Sequence, residues 1–136
     1  MLILYGTLKE VKEMGLKKSI IAVDDSGVML QTLEGLLSDQ YEFRGFSRAA
    51  RALKYIAQYP PALILLDIDM PEVDGYTMLG MIKQNIELRF IPVIFLTSNN
   101  DRNYVIKAVK YGADDYVVKP IDKDTLMSKI EALLSR

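Results

Sequence analysis

The pair Asp24-Asp25 and the residues Asp67, Thr97 and Lys119 lie far apart in the chain, yet each follows a short, mostly apolar run. The runs are Ser19 to Val23, Ala62 to Leu66, Val93 to Leu96, and Asp115 to Val118. If these are parallel strands, their carboxyl ends share one edge of a sheet, where ligands of open α/β sheets bind. Three carboxylates within about 4 Å would repel by roughly 4 kcal/mol per pair at an effective dielectric of 20, unless a cation sits among them. An all-oxygen, carboxylate-rich set with open positions suits Mg²⁺, and those positions go naturally to phosphoryl oxygens. Lys119 adds a positive charge and Thr97 a neutral hydroxyl donor, a set suited to a tetrahedral anion.

The reacting group is then expected to be Asp67, the central one. An ionised aspartate is nucleophilic without a general base. That matters here because the chain has 0 His and 0 Cys. Asp67 would attack phosphorus in line and become an aspartyl phosphate. Mg²⁺ and Lys119 would neutralise the equatorial oxygens, and Thr97 would hold one of them in the product. Singly, each residue has an ordinary explanation. A strand-terminal Asp is usually a turn residue, an acidic pair such as Asp24-Asp25 a solvated helix start, and a lone lysine a surface group.

Composition narrows the alternatives. The 136 residues suit one domain with one core, and 50% hydrophobic with 26% charged residues suits a soluble globule. A net charge of -1 offers no footprint for nucleic acid or an anionic membrane. The absence of cysteine excludes disulfides, thiolate catalysis and zinc-thiolate sites. The absence of histidine removes imidazole acid-base work and histidine metal ligands. The opening run Met1 to Tyr5 is too short for a secretory segment and has no basic stretch before it. No stretch approaches the roughly 20 apolar residues of a membrane span. A cytoplasmic protein is expected.

Alternating elements must position the five residues. Residues 1–16 read as a leader: Leu4, Leu8 and Val11 recur at helical spacing before Gly15, as in a loosely held extension, a cloning remnant or a short docked helix. From Lys17 the strand Ser19 to Val23 is followed by a helix carrying Val28, Met29, Leu33, Leu36 and Leu37. Tyr41 to Phe46 reads as a second strand. Ser47 is a plausible N-cap for a helix carrying Ala50, Leu53 and Ile56, ended by Pro60-Pro61. The unbroken run into Asp67 reads as a strand buried on both faces. After Asp74-Gly75 a third helix carries Met78, Leu79 and Ile82. Pro92 opens the fourth strand, and Asn99, Asn100 and Asp101 can cap a fourth helix with Val105, Ala108 and Val109 inward and Gly112 as its stop. Asp115 to Val118 is the fifth strand, and Asp122 or Asp124 starts a last helix through Leu126, Ile130, Leu133 and Leu134. Such alternation implies right-handed βαβ units and a parallel sheet covered on both faces.

Four groups of residues together resemble the receiver domain of two-component response regulators. They are Val23-Asp24-Asp25-Ser26; Leu66-Asp67-Ile68-Asp69-Met70-Pro71 with Asp74-Gly75; Leu96-Thr97-Ser98; and Gly112 to Tyr116 with Val118-Lys119-Pro120. The resemblance covers about residues 17–136. It implies a flavodoxin-like (βα)5 fold, a doubly wound parallel five-stranded sheet in the order 2-1-3-4-5. It implies Asp67 as phosphoacceptor, Asp25 as direct Mg²⁺ ligand, Asp24 acting mostly through water, and the Asp69 backbone carbonyl as a further ligand. Lys119, through a cis bond to Pro120, would pair with the phosphoryl group, and Thr97 and Tyr116 would form the switch pair. By residue type alone, Tyr116 reads rather as an aromatic half-buried on an edge strand.

The implied function is a phosphorylation-dependent signalling switch. The phosphoryl group would come from a sensor histidine kinase or a histidine phosphotransfer protein. A downstream output protein or effector domain would read the result, with room for a phosphorylation-linked homodimer. The chain would catalyse only its own phosphorylation and dephosphorylation, with no direct nucleic acid binding and no membrane contact. The implied readout face includes Tyr104, Lys107, Lys110 and Tyr111. Asp69 and Asn99 occupy positions that vary in the family and tune phosphoryl lifetime; residues 1–16 have no counterpart.

Three other readings compete. A haloacid-dehalogenase-type phosphatase also uses an Asp-x-Asp motif, which Asp67-Ile68-Asp69 imitates, but its nucleophile strand comes first and its acidic pair last. A flavin module would want a Ser/Thr/Gly-rich loop where Asp24-Asp25 stands. A pseudo-receiver would keep the shape as a protein-interaction domain without the chemistry, against which the intact acidic pair, acceptor, threonine and lysine argue.

Overall fold

The computed structural model describes residues 17–98 and 102–136. Strands and helices alternate: β1 (Ser19–Val23), α1 (Gly27–Leu37), β2 (Glu42–Phe46), α2 (Ala49–Gln58), β3 (Leu63–Asp67), α3 (Gly75–Gln84), β4 (Val93–Thr97), α4 (Arg102–Lys110), β5 (Asp115–Val118) and α5 (Lys123–Leu134). The sheet order is β2-β1-β3-β4-β5, with every pair parallel. This is the doubly wound, flavodoxin-like arrangement that the sequence predicts.

Burial follows position in the sheet. All five residues of β3 and all five of β4 are buried, because helices cover both faces. The edge strand β2 buries none of its residues fully. One core cluster joins Ile21, Val23, Ile64, Leu66, Val93 and Phe95 to α2, α3 and α4 through Ile56, Leu79 and Ala108. The other joins Ile20, Leu63, Leu65, Ile94 and Leu96 to α1 and α5 through Leu33, Leu37, Leu126 and Ile130. Alternate strand residues therefore serve opposite layers, and each fully buried aliphatic side chain contributes about 1.5–3 kcal/mol.

Several helix starts carry side-chain caps. Ser26 Oγ accepts from the Met29 N–H, and Asp74 and Asp122 accept from the Thr77 and Thr125 N–H groups. Asp122, not Asp124, is thus the cap of α5. The predicted cap at Ser47 is not observed: α2 begins at Ala49, and Arg48 holds the extended cap position without a side-chain cap bond. The α2 face shifts accordingly. Ala49, Ala52 and Ile56 are buried, Leu53 is half-buried and Ala50 is exposed. Val109, predicted inward, is exposed, and so is Val28, which shares the helical spacing of the apolar residues of α1. The predicted caps at Asn99, Asn100 and Asp101, and the helical spacing in residues 1–16, lie outside the described residues. Among the described residues, no helix is long and apolar enough to cross a membrane.

Candidate functional site

The carboxyl ends of β1, β3, β4 and β5 bring the polar residues to one edge. At the end of β1 the Asp24 N–H donates to the Phe46 carbonyl at 3.0 Å, locking the turn to β2. Asp24 Oδ1 accepts from the Ser26 N–H at 2.9 Å. Asp67 closes β3, and its Oδ1 accepts from the Asp69 N–H at 3.3 Å. The chain returns at once to this point, since the Gly75 N–H donates to the Ile68 carbonyl at 2.8 Å. Thr97 ends β4 with its side chain buried, and its carbonyl accepts from the Lys119 N–H at 2.7 Å. That bond fixes the start of the Lys119 segment, whose bond to Pro120 is cis, as expected.

The side chains converge. Lys119 Nζ lies 2.8 Å from Asp24 Oδ2 and 3.5 Å from Asp67 Oδ1. Asp24, Asp25 and Asp67 each offer one oxygen, and these lie within 4.8 Å of one another. Asp24 is 0% and Asp67 4% exposed. Asp25 is exposed, so the cluster meets solvent on its side. A cleft of about 320 Å³ opens there, lined by Asp25, Arg48, Met70, Glu72 and Val73 among others.

The electrostatics are those of a crowded anionic pocket. Burial pushes the Asp67 carboxyl up to about 7; the Asp24 charge adds to the rise, and the Lys119 ammonium opposes it. Burial alone would depress the Lys119 ammonium, but its bond to Asp24 and the Asp67 charge outweigh this and hold it above its ordinary value. Among the described residues, three carboxylates face one ammonium, and every donor atom in the cluster is a hard oxygen. The set fits a small divalent cation such as Mg²⁺.

Asp24, Asp25, Asp67 and Lys119 therefore meet as the sequence predicts. Thr97 stands at the same edge, one residue beyond the Leu96 that pairs with Asp67. The Asp69 N–H is tied to Asp67, with its side chain exposed. Tyr116 lies outside the acidic cluster. It pairs in register with Phe95, is half-buried on edge strand β5, and has Lys129 Nζ 4.7 Å from its ring centroid. On the implied readout face, Tyr104 is half-buried against the core, and Lys107 Nζ sits 4.4 Å from the Tyr76 ring centroid.

Arg48 and Glu72, which line the cleft, were not anticipated from the sequence. Only the basic run Arg44, Arg48, Arg51 and Lys54 hinted at the first. Glu72 holds a left-handed φ of 69°, which nothing in its residue type announces.

Comparison with known proteins identifies the family. The family model for the response regulator receiver domain matches residues 20–131. Response regulator Rre1 of Synechocystis is 32% identical over 120 residues, which cover 87% of this chain and 52% of that protein. Response regulator PleD of Caulobacter vibrioides is 34% identical over 115 residues, covering 84% of this chain and 25% of that protein. The chain thus spans about half or less of these curated relatives. A crystal structure of a response regulator from Chloroflexus aurantiacus matches with a TM-score of 0.84 at 28% identity, covering 88% of this chain and 99% of that one. Sheet order, the acidic edge and the family match converge: the chain belongs to the response regulator receiver domains, the phosphorylation-dependent switches of two-component signalling.

Proposed function

We propose that this chain accepts a phosphoryl group on Asp67 from the phosphohistidine of a sensor histidine kinase or a histidine phosphotransfer protein, in the cytoplasm. One Asp67 oxygen attacks phosphorus in line while the phosphorus–nitrogen bond to the donor imidazole breaks, and the electron pair leaves with the ring nitrogen. The observation that carries this reading is Lys119 Nζ bridging two buried carboxylates, Asp24 and Asp67, beside an exposed third. A divalent cation such as Mg²⁺, held by Asp25 and Asp67 with Asp24 beside them and the Asp69 backbone carbonyl as a further ligand, supplies charge neutralisation for the phosphoryl oxygens. Asp24 has one oxygen bonded to the Ser26 N–H and the other paired with Lys119, which suits it to a supporting role through water.

Lys119 then shifts its bond from Asp67 to the transferred group and offsets its charge. The Thr97 hydroxyl holds one phosphoryl oxygen, and its movement is coupled to the ring of Tyr116. Phosphorylation shifts this two-state equilibrium only by the difference in its interactions with the two states. The shifted population is read by a downstream output protein or effector domain, and favours a homodimer if the readout face is self-complementary. Residues 17–136 form the receiver unit. The chain turns over no separate substrate.

Acetyl phosphate with Mg²⁺ is expected to add one phosphoryl group, read by intact mass because the chain has 0 Trp for fluorescence. Asp67→Asn and EDTA should each abolish the gain. Unaltered labelling of Asp67→Asn, or labelling of a serine, overturns the assignment.

A further inference from the structure

The acidic cluster meets solvent at Asp25, which is exposed, while Asp24 and Asp67 are buried. The cleft at that opening is bounded by Arg48 from the segment after β2, and by Met70, Glu72 and Val73 from the segment after β3. A neighbouring hollow of about 330 Å³ shares Ser47 and Arg48 and ends at Arg51. Both arginines are exposed, and neither forms an ion pair with a described carboxylate, in contrast to Lys119, Lys129 and Arg136.

A phosphoryl donor must bring a dianion towards three carboxylates. Even with a divalent cation and Lys119 in place, the three negative charges are only balanced. At longer range the cluster then offers an incoming dianion no net attraction, and Arg48 is the cationic residue lining the cleft beside Asp25. Glu72 lines the same cleft and opposes it.

We propose that Arg48, supported by Arg51, is a positioning residue for the phosphoryl donor: it draws the donor's phosphoryl dianion into the cleft beside Asp25, against the counter-charge of Glu72. This rests on the reading of Asp67 as phosphoacceptor. The ligand chemistry is a phosphoryl dianion on a carrier. A reversed charge of the order of 10 Å from a dianion, weakly screened at about 10 mM ionic strength, changes the encounter by about three- to tenfold.

The test uses the full chain with Mg²⁺, acetyl phosphate and phosphoramidate as donors, and intact mass as readout. Arg48→Glu should slow phosphorylation by both donors about three- to tenfold at low salt, through a higher KM with an unchanged maximal rate. Arg51→Glu should act in the same sense but less, Glu72→Gln should speed the reaction, and Arg48→Lys should stay near the parent protein. Raising the salt to about 0.5 M should erase the differences. Hydrolysis of the phosphorylated protein should be unchanged in every variant, because water is neutral; a merely structural defect would alter both directions. The proposal is overturned if Arg48→Glu reacts like the parent, if hydrolysis changes in step, or if only acetyl phosphate is affected, which would tie Arg48 to the acyl leaving group. A parent protein that takes up no phosphoryl group sinks the acceptor assignment as well. A labelled parent with an indifferent Arg48→Glu variant sinks this inference alone.

Discussion

Asp67 is a carboxyl held where its charge is least welcome. Burial raises it to about 7, Asp24 adds to the rise, and Lys119 offsets only part. Its unfolded value is about 3.9, so the folded state keeps a proton that the unfolded chain releases between pH about 4 and about 7. A raised carboxyl favours folding most below that window, and the advantage is lost as pH rises through it. In EDTA at pH 8, Asp67→Asn should therefore be more stable than the parent by about 1–3 kcal/mol, with the gap closing towards pH 4. Urea melts at several pH values measure it; a gap that ignores pH would refute the charge account. Millimolar Mg²⁺ should stabilise the parent and do less for Asp67→Asn, because a ligand that binds only the folded state adds its binding free energy to stability. These residues were legible in sequence because each ends an apolar run, and parallel strands leave no choice about which edge they share. Arg48 and Glu72 were not, because they stand on connecting segments whose course no periodicity encodes.

The elements are fitted to that edge by close approach. A Cβ placed on Gly75 would lie 2.7 Å from Ile68 Cα and closer still to the Asp67 carbonyl oxygen. The start of α3 therefore rests directly on the end of β3, and only glycine permits it. Gly75→Ala should cost about 1–3 kcal/mol by overpacking and displace the acceptor, slowing phosphorylation with it. Gly80 is the control on the same helix: a Cβ there meets nothing within 4 Å. Gly80→Ala should be neutral or stabilising by up to about 1 kcal/mol. Equal melting curves for the two variants would refute the contact. The Asp74-Gly75 pair was visible in the sequence, but the reason for the glycine was not, since it involves backbone atoms of another element. The error in α2 has a similar cause. Helical spacing fits Ala50, Leu53 and Ile56 as well as Ala49, Ala52 and Ile56, and Ser47 is a good cap by type. The start at Ala49, with Arg48 extended at φ -135°, selects the second set. Val109 is exposed although its spacing predicts an inward position, because periodicity names a face and not how far the face is covered.

For the whole molecule, the alternation of strands and helices was enough to imply a parallel sheet with two covering layers, but the order of its strands came from the family resemblance. Alternation constrains the hand of each crossover and leaves several orders open. The buried members of the two core clusters, among the described residues, run from Ile20 to Ile130. β1 begins at Ser19, is paired on both sides, and is preceded by Lys18, whose carbonyl accepts from the Glu42 N–H at 3.0 Å. Among the described residues, which begin at Lys17, the five-stranded sheet and both layers are in place. A chain starting at Lys17 should therefore fold, shift its Tm by less than about 4 °C, the change expected for about 1 kcal/mol in a domain of this size, and take up the phosphoryl group at the parent rate. Calorimetry and the acetyl phosphate assay check the two halves separately. A lowered Tm with an unaltered rate would mean that residues 1–16 brace the fold from outside the site. Loss of both would place them inside the cooperative unit and remove the boundary at residue 17.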